Sequence, residues 1–105
     1  MISEARVETA LRYLAESDLP AAEAKADMER REAKCKSVKQ TIFLHSEGTV
    51  AERTAIADTH QGTLDAQAEY FESVSVYQHF ANKRETERIL IDLYRTICAN
   101  RRKGE

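Results

Sequence analysis

His45, His60 and His79 are the only histidines in this 105-residue chain. None has a second His or Cys at a helical ligand spacing, and a metal site needs three or four converging ligands. They read as solvated or half-buried imidazoles. Cys35 and Cys98 are too few for a disulfide scaffold. Cys35 falls on an apolar comb and reads as a small packed side chain. No base accompanies either thiol to make it a nucleophile. Carboxylates are numerous, Glu29, Glu32, Glu69 and Glu72 among them, and a solvated helix face accounts for them. There is no glycine-rich phosphate loop and no serine nucleophile elbow. His45, Ser46 and Glu47 carry the letters of a triad, but neighbours at a turn do not converge. The residues point away from an enzyme and imply no metal, cofactor or small-molecule substrate.

The basic residues offer a different chemistry, contact with phosphates. Arg30, Arg31, Lys34, Lys36 and Lys39 form one cluster, opposed by Glu32 alone in that stretch. The favoured reading is pairing with an acidic second arm. Arg95 with Arg101, Arg102 and Lys103 is the better candidate for nucleic-acid contact. The competing reading is that they complement the dipole of a helix C-terminus. A net charge of −2 argues against a general nucleic-acid binder and is too weak for DNA mimicry.

These groups must be positioned by helices. The chain has 3 Gly, 1 Pro and no Trp, so few residues can punctuate a many-stranded fold. Val7, Ala10, Leu11 and Leu14 recur at helical steps behind a capping Ser3. A seven-residue comb runs through Val7, Leu14, Ala21, Met28, Cys35 and Ile42. Ser17-Asp18-Leu19-Pro20 reads as a fresh helix start or a kink within one long helix. His45-Ser46-Glu47-Gly48 ends the arm, with Gly48 suited to a left-handed cap. Thr49 with Glu52 matches a capping box. The spacing predicts helices over about residues 3–17, 20–46 and 50–101, with a turn at 46–49. Gly62 marks a weak spot within Thr59–Thr63, where a bend or short break is expected.

The fold class is therefore all-α: one domain, a long antiparallel helical hairpin of coiled-coil type with a break near Pro20. Facing positions have numbers adding to roughly 96. That sets the basic stretch 30–39 against Glu52, Asp58, Asp65, Glu69 and Glu72. It sets Glu4, Glu8 and Glu16 against Lys83, Arg84, Arg88 and Arg95, and leaves Arg101, Arg102 and Lys103 overhanging Met1.

One partner arm rich in alanine cannot cover the second arm. Around Tyr70, Phe71, Val74, Val76, Tyr77, Phe80 and Ala81 the apolar arc spans roughly 220°. Ile89, Leu90, Ile91, Leu93, Tyr94, Ile97 and Cys98 span roughly 200°. Pairing of two hairpins into a four-helix bundle would bury that surface. The expected interface comprises Tyr70, Phe71, Val74, Tyr77, Phe80, Leu90, Leu93, Tyr94 and Ile97. The rival is a first helix that breaks at Pro20 and folds back as a third layer. Ile89–Ala99, interrupted by Asp92 and Arg95, is too short to span a bilayer. Residues 1–7 hold no targeting signal, so a cytoplasmic location is expected.

Three segments carry a resemblance: Ala10-Leu11-Arg12-Tyr13-Leu14-Ala15-Glu16-Ser17-Asp18, Phe43-Leu44-His45-Ser46-Glu47-Gly48-Thr49-Val50-Ala51-Glu52-Arg53, and Tyr94-Arg95-Thr96-Ile97-Cys98-Ala99-Asn100-Arg101-Arg102-Lys103-Gly104. Together they resemble a family of small phage and prophage helical proteins found in recombination and early-gene clusters. Tyr94 stands where that pattern carries Trp, and Pro20 departs from it. The resemblance implies a bacterial host cytoplasm and no particular reaction. The resulting expectation is a homodimeric interaction module acting on a host or phage protein of DNA metabolism or defence, including anti-CRISPR-like inhibition. The alternative is an accessory nucleic-acid-binding protein of a recombination system.

Overall fold

The computed structural model describes residues 1–104. Three α-helices follow in order: α1 Glu4–His45, α2 Val50–Thr59 and α3 Gln61–Gly104. No strand occurs among the described residues, so the all-α class holds.

Local chemistry explains the helix ends. Ser3 Oγ accepts a hydrogen bond from the Arg6 amide at 3.1 Å, capping α1. Beyond His45 the chain turns through Gly48, whose φ of 116° lies in the left-handed region that favours glycine. Thr49 Oγ1 accepts from the Glu52 amide at 3.2 Å and caps α2, as the box pattern predicts. The weak spot near Gly62 is a true break. His60 is extended, with φ −65° and ψ 139°, and ends α2. Its Nδ1 accepts from the Gly62 amide at 2.9 Å and so caps the start of α3. A Cβ on Gly62 would lie 3.2 Å from that nitrogen. The glycine thus lets the imidazole close over the helix end, and the expected helix over 50–101 is two helices.

The expected break at Pro20 is not there. α1 runs through the proline, which also overturns the folded-back third layer. Pro20 removes one backbone hydrogen bond, to the Glu16 carbonyl. Both residues are on the exposed side of α1, where water can take up the freed carbonyl.

The packing divides into two units: Met1–Ala22 with the chain from Gln78 onward, and Glu23–Tyr77. In Glu23–Tyr77 the later part of α1 runs antiparallel to α2 and the start of α3. Ala57, Thr63, Ala66 and Ser73 are buried there. Part of the expected charge pairing is present. Lys39 pairs with Asp58, and Glu69 receives Lys34 at 3.1 Å and Arg31 at 3.5 Å. Asp65 instead accepts from Gln61 at 2.7 Å within its own helix.

In the other unit Val7, Ala10 and Ile91 form the core, flanked by Ile2, Leu14, Leu90 and Tyr94. The expected contacts here are only partly right. Arg84 does meet the first helix, donating to the Leu14 carbonyl at 2.8 Å and Ser17 Oγ at 2.6 Å, with Asp18 at 3.5 Å. Lys83 lies over the Tyr13 ring, 4.4 Å from its centroid. One pair has reversed polarity: Arg6 binds Glu87 at 2.8 Å. Arg101 does not overhang, since its Nη2 reaches Met1 Sδ at 3.1 Å.

Because α1 already passes Pro20, Pro20→Ala should raise stability by about 1–3 kcal/mol. Urea unfolding followed by circular dichroism reads this directly. A loss of stability would mean that the proline holds a bend the packing needs.

Candidate functional site

The shielded positions of α1 follow a heptad: Val7, Ala10, Leu14, Ser17, Ala21, Ala24, Met28, Arg31, Cys35, Val38 and Ile42 are all buried or half-buried. On α3 the same rhythm runs through Thr63, Ala66, Tyr70, Ser73, Tyr77, Phe80, Arg84, Glu87, Ile91, Tyr94 and Cys98. Small and polar residues dominate these seams. Ala10, Ala57 and Ala66 are closed off from solvent, and the largest fully buried side chain is that of Thr63. Such side chains allow close backbone approach and leave little room for large ones.

Several large apolar side chains lie outside the seams. In Glu23–Tyr77, Phe71 is 64% exposed and Leu64 44%, seven residues apart on one face. Tyr70, Val74 and Tyr77 of the expected interface are half-buried. The rings of Tyr70 and Phe71 stand 5.7 Å apart, centroid to centroid. Near the turn, Phe43 lines an open apolar hollow of about 290 Å³ with Lys36, Lys39, Gln40, Thr54 and Ala57. Arg53 lies over its ring at 5.8 Å, and Leu44 and Val50 stand exposed at the same end.

In the terminal unit Ile89 and Leu93 are 58% and 51% exposed. Phe80 and Ile97 are half-buried, and Leu90 and Tyr94 are drawn against the core. The expected interface residues thus fall in both units, with Tyr70, Tyr77, Phe80 and Tyr94 on the α3 seam and Phe71 and Leu93 exposed off it. Leu64 belongs with Phe71 and was not anticipated. Only its position off the heptad could have marked it.

The cationic candidates lie at the end of α3. Arg95, Arg102 and Lys103 are exposed and have no carboxylate partner among the described residues, whereas Arg101 leans on Met1. Basic residues in a last helical turn also complement its dipole.

The titratable groups with altered character sit in the terminal seam. Its hydrogen bond with Arg6 holds the Glu87 carboxyl below its ordinary value of 4.5, and burial opposes this. The same bond raises Arg6 above its usual range. Glu87 Oε2 and Arg6 Nη1 have no protein partner. The Tyr94 hydroxyl is pushed above 10.0, first by its hydrogen bond with Cys98, then by burial and the charges of Cys98 and Glu4. No other signal in the sequence marked Arg6 and Glu87 beyond their place in or beside the heptad.

The histidines serve the backbone or their neighbours. His45 Nδ1 contacts the Thr41 carbonyl at 2.8 Å, His60 caps α3, and His79 meets Phe80 edge-on. No group of three or more His, Cys, Asp or Glu residues converges among the described residues. Among the described residues no helix is long and apolar enough to cross a membrane. Comparisons with protein-family models, curated proteins and solved structures return no match for this chain.

Glu87→Gln tests the seam pair. The depressed carboxyl contributes stability that is present above the ordinary range and is lost as pH falls through the folded-state value. The variant should be about 1–3 kcal/mol less stable at neutral pH. The gap to the parent protein should narrow as pH falls below the ordinary carboxyl value of 4.5, in denaturant titrations run across pH.

Proposed function

We propose that this protein is a non-enzymatic interaction module that forms a helical homodimer and docks on a host or phage protein of DNA metabolism or defence. The class includes inhibitors of host defence such as anti-CRISPR-like proteins. One observation carries the reading: an apolar surface stands exposed outside the seams of each unit. Large apolar side chains sit in that surface, Phe71, Ile89 and Leu93 among them. The phage setting rests on the resemblance of the turn and terminal segments alone.

Light scattering at micromolar concentration should give about twice the chain mass. A monomer that persists at these concentrations overturns the dimer. Capture of a nuclease, recombinase or defence effector from infected host lysate, lost on Phe71→Asp, supports the docking role.

A second reading has its own observation: Arg95, Arg102 and Lys103 are exposed and have no carboxylate partner among the described residues. These would contact nucleic-acid phosphates. Under this reading the protein binds DNA at low salt, and alanine at Arg95, Arg101, Arg102 and Lys103 abolishes binding. Each lost phosphate contact should flatten the log–log salt slope by about 0.9. Absence of binding at low salt removes the reading.

A further inference from the structure

A hollow of about 350 Å³ lies between α1 and α3 in the terminal unit, and its lining includes Arg6, Arg12, Tyr13, Glu16, Lys83 and Glu87. Three of these side chains are cationic and two are carboxylates, so the lining carries one net positive charge. Arg6 and Glu87 are committed to each other at 2.8 Å. Arg12 and Lys83 are exposed and have no ion-pair partner among the described residues. Lys83 Nζ lies 4.4 Å from the centroid of the Tyr13 ring. The ring face attracts the ammonium without using all three of its N–H donors.

A second observation belongs to the same lining. Glu87 is 7% exposed, and its Oε2 has no hydrogen-bond partner in the protein. Arg6 Nη1, on the other side of that ion pair, is also buried and unpartnered. Buried polar groups are seldom left unpaired. One of these two atoms needs a donor and the other an acceptor. A carboxylate, a sulfate or a nucleic-acid phosphodiester offers lone pairs and no proton. A phosphate that keeps an O–H offers both, and its charged oxygens suit the free donors of Arg12 and Lys83. A water molecule occupies about 30 Å³ and would fill only a small part of the hollow.

We infer that this hollow binds a phosphate group that keeps an O–H, the form that a phosphomonoester with its second pKa of about 6 still populates in mildly acid solution. Glu87 Oε2 accepts from that O–H, while Arg6 Nη1, Arg12 and Lys83 donate to the other oxygens. Glu16 has no ion-pair partner among the described residues. Its charge disfavours a fully ionised phosphate and so reinforces the choice of the protonated form. The site is independent of the readings above, since it needs neither a second copy nor the basic end of α3.

The test titrates the whole chain at about pH 6, where that proton is still held, with inorganic phosphate and separately with sulfate at matched ionic strength. Backbone amide shifts are followed by NMR. Phosphate should move the resonances of residues 6–16 and 83–87 with millimolar affinity, about tenfold tighter than sulfate. Arg12→Ala and Lys83→Ala, both at exposed positions, should each weaken phosphate about tenfold. Arg30→Ala in Glu23–Tyr77, and alanine at Arg95, Arg101, Arg102 and Lys103 together, should leave it unchanged. Glu87→Gln presents an amide donor and should cancel the preference over sulfate in a chain whose spectrum remains folded. Methyl phosphate should bind and dimethyl phosphate should not. A 5′-phosphorylated oligonucleotide that binds tighter than inorganic phosphate assigns the group to a nucleic-acid end, and one that binds no tighter assigns it to free phosphate. Equal affinity for phosphate and sulfate overturns the proposal in favour of a general anion patch. Resonances that do not move at about 50 mM phosphate, well above a millimolar dissociation constant, or that move as before in both Arg12→Ala and Lys83→Ala, remove the site.

Discussion

Close approach between helices is the constraint on which the rest of this structure depends. Small side chains hold the most closed points of the seams: Ala10, Ala57, Ala66 and Thr63 are nearly inaccessible, and Ser17 and Ser73 are buried beside them. Helices that meet through small side chains stand near each other, and large side chains off the seam positions point outward. Burying a Leu or Phe contributes about 1.5–3 kcal/mol. Phe71, Ile89 and Leu93 forgo much of that within the single chain. The exposed apolar surface is thus a consequence of the packing mode rather than an accident of side-chain placement.

Polar groups in the seam do a second job. Arg84 holds the Leu14 carbonyl, Ser17 and Asp18, while Arg6 binds Glu87. Shielded ionic groups contribute little net stability over apolar replacements, because desolvation offsets the attraction. Their stronger effect is on alternatives. A slip of one heptad would leave Glu87 and Arg84 without these partners in a low-dielectric seam, a costly state. Register is fixed this way in coiled coils whose apolar contacts are too uniform to fix it.

Much of this was legible in residue spacing. The comb from Val7 to Ile42 is shielded throughout, and the caps at Ser3 and Thr49 form as the local chemistry requires. Helix periodicity and capping are local, so they survive in a one-dimensional string. The misreadings involve choices that depend on the surroundings. Pro20 can end a helix or ride on its outer face, and only its exposure decides which. His60 gave no sign that its ring would cap the next helix, because a cap requires the chain to have left the helix already. Arg6 and Glu87 are far apart in sequence, and the expected charge pattern included neither. Within the candidate interface, the excess apolar arc was readable, but its division between seam and exposed surface was not, since that follows from which residues the seam absorbs.

The two functional readings place different demands on the same helix, and the geometry of α3 lets both be met. Arg95 and Arg102 stand seven residues apart, which puts them on one side of the helix, roughly 160–180° from Leu93. Ile89 and Leu93 are exposed on the opposite side. Contact with a partner protein through those two residues would therefore leave the arginines open to phosphates, so protein docking and nucleic-acid contact need not compete for one face of α3.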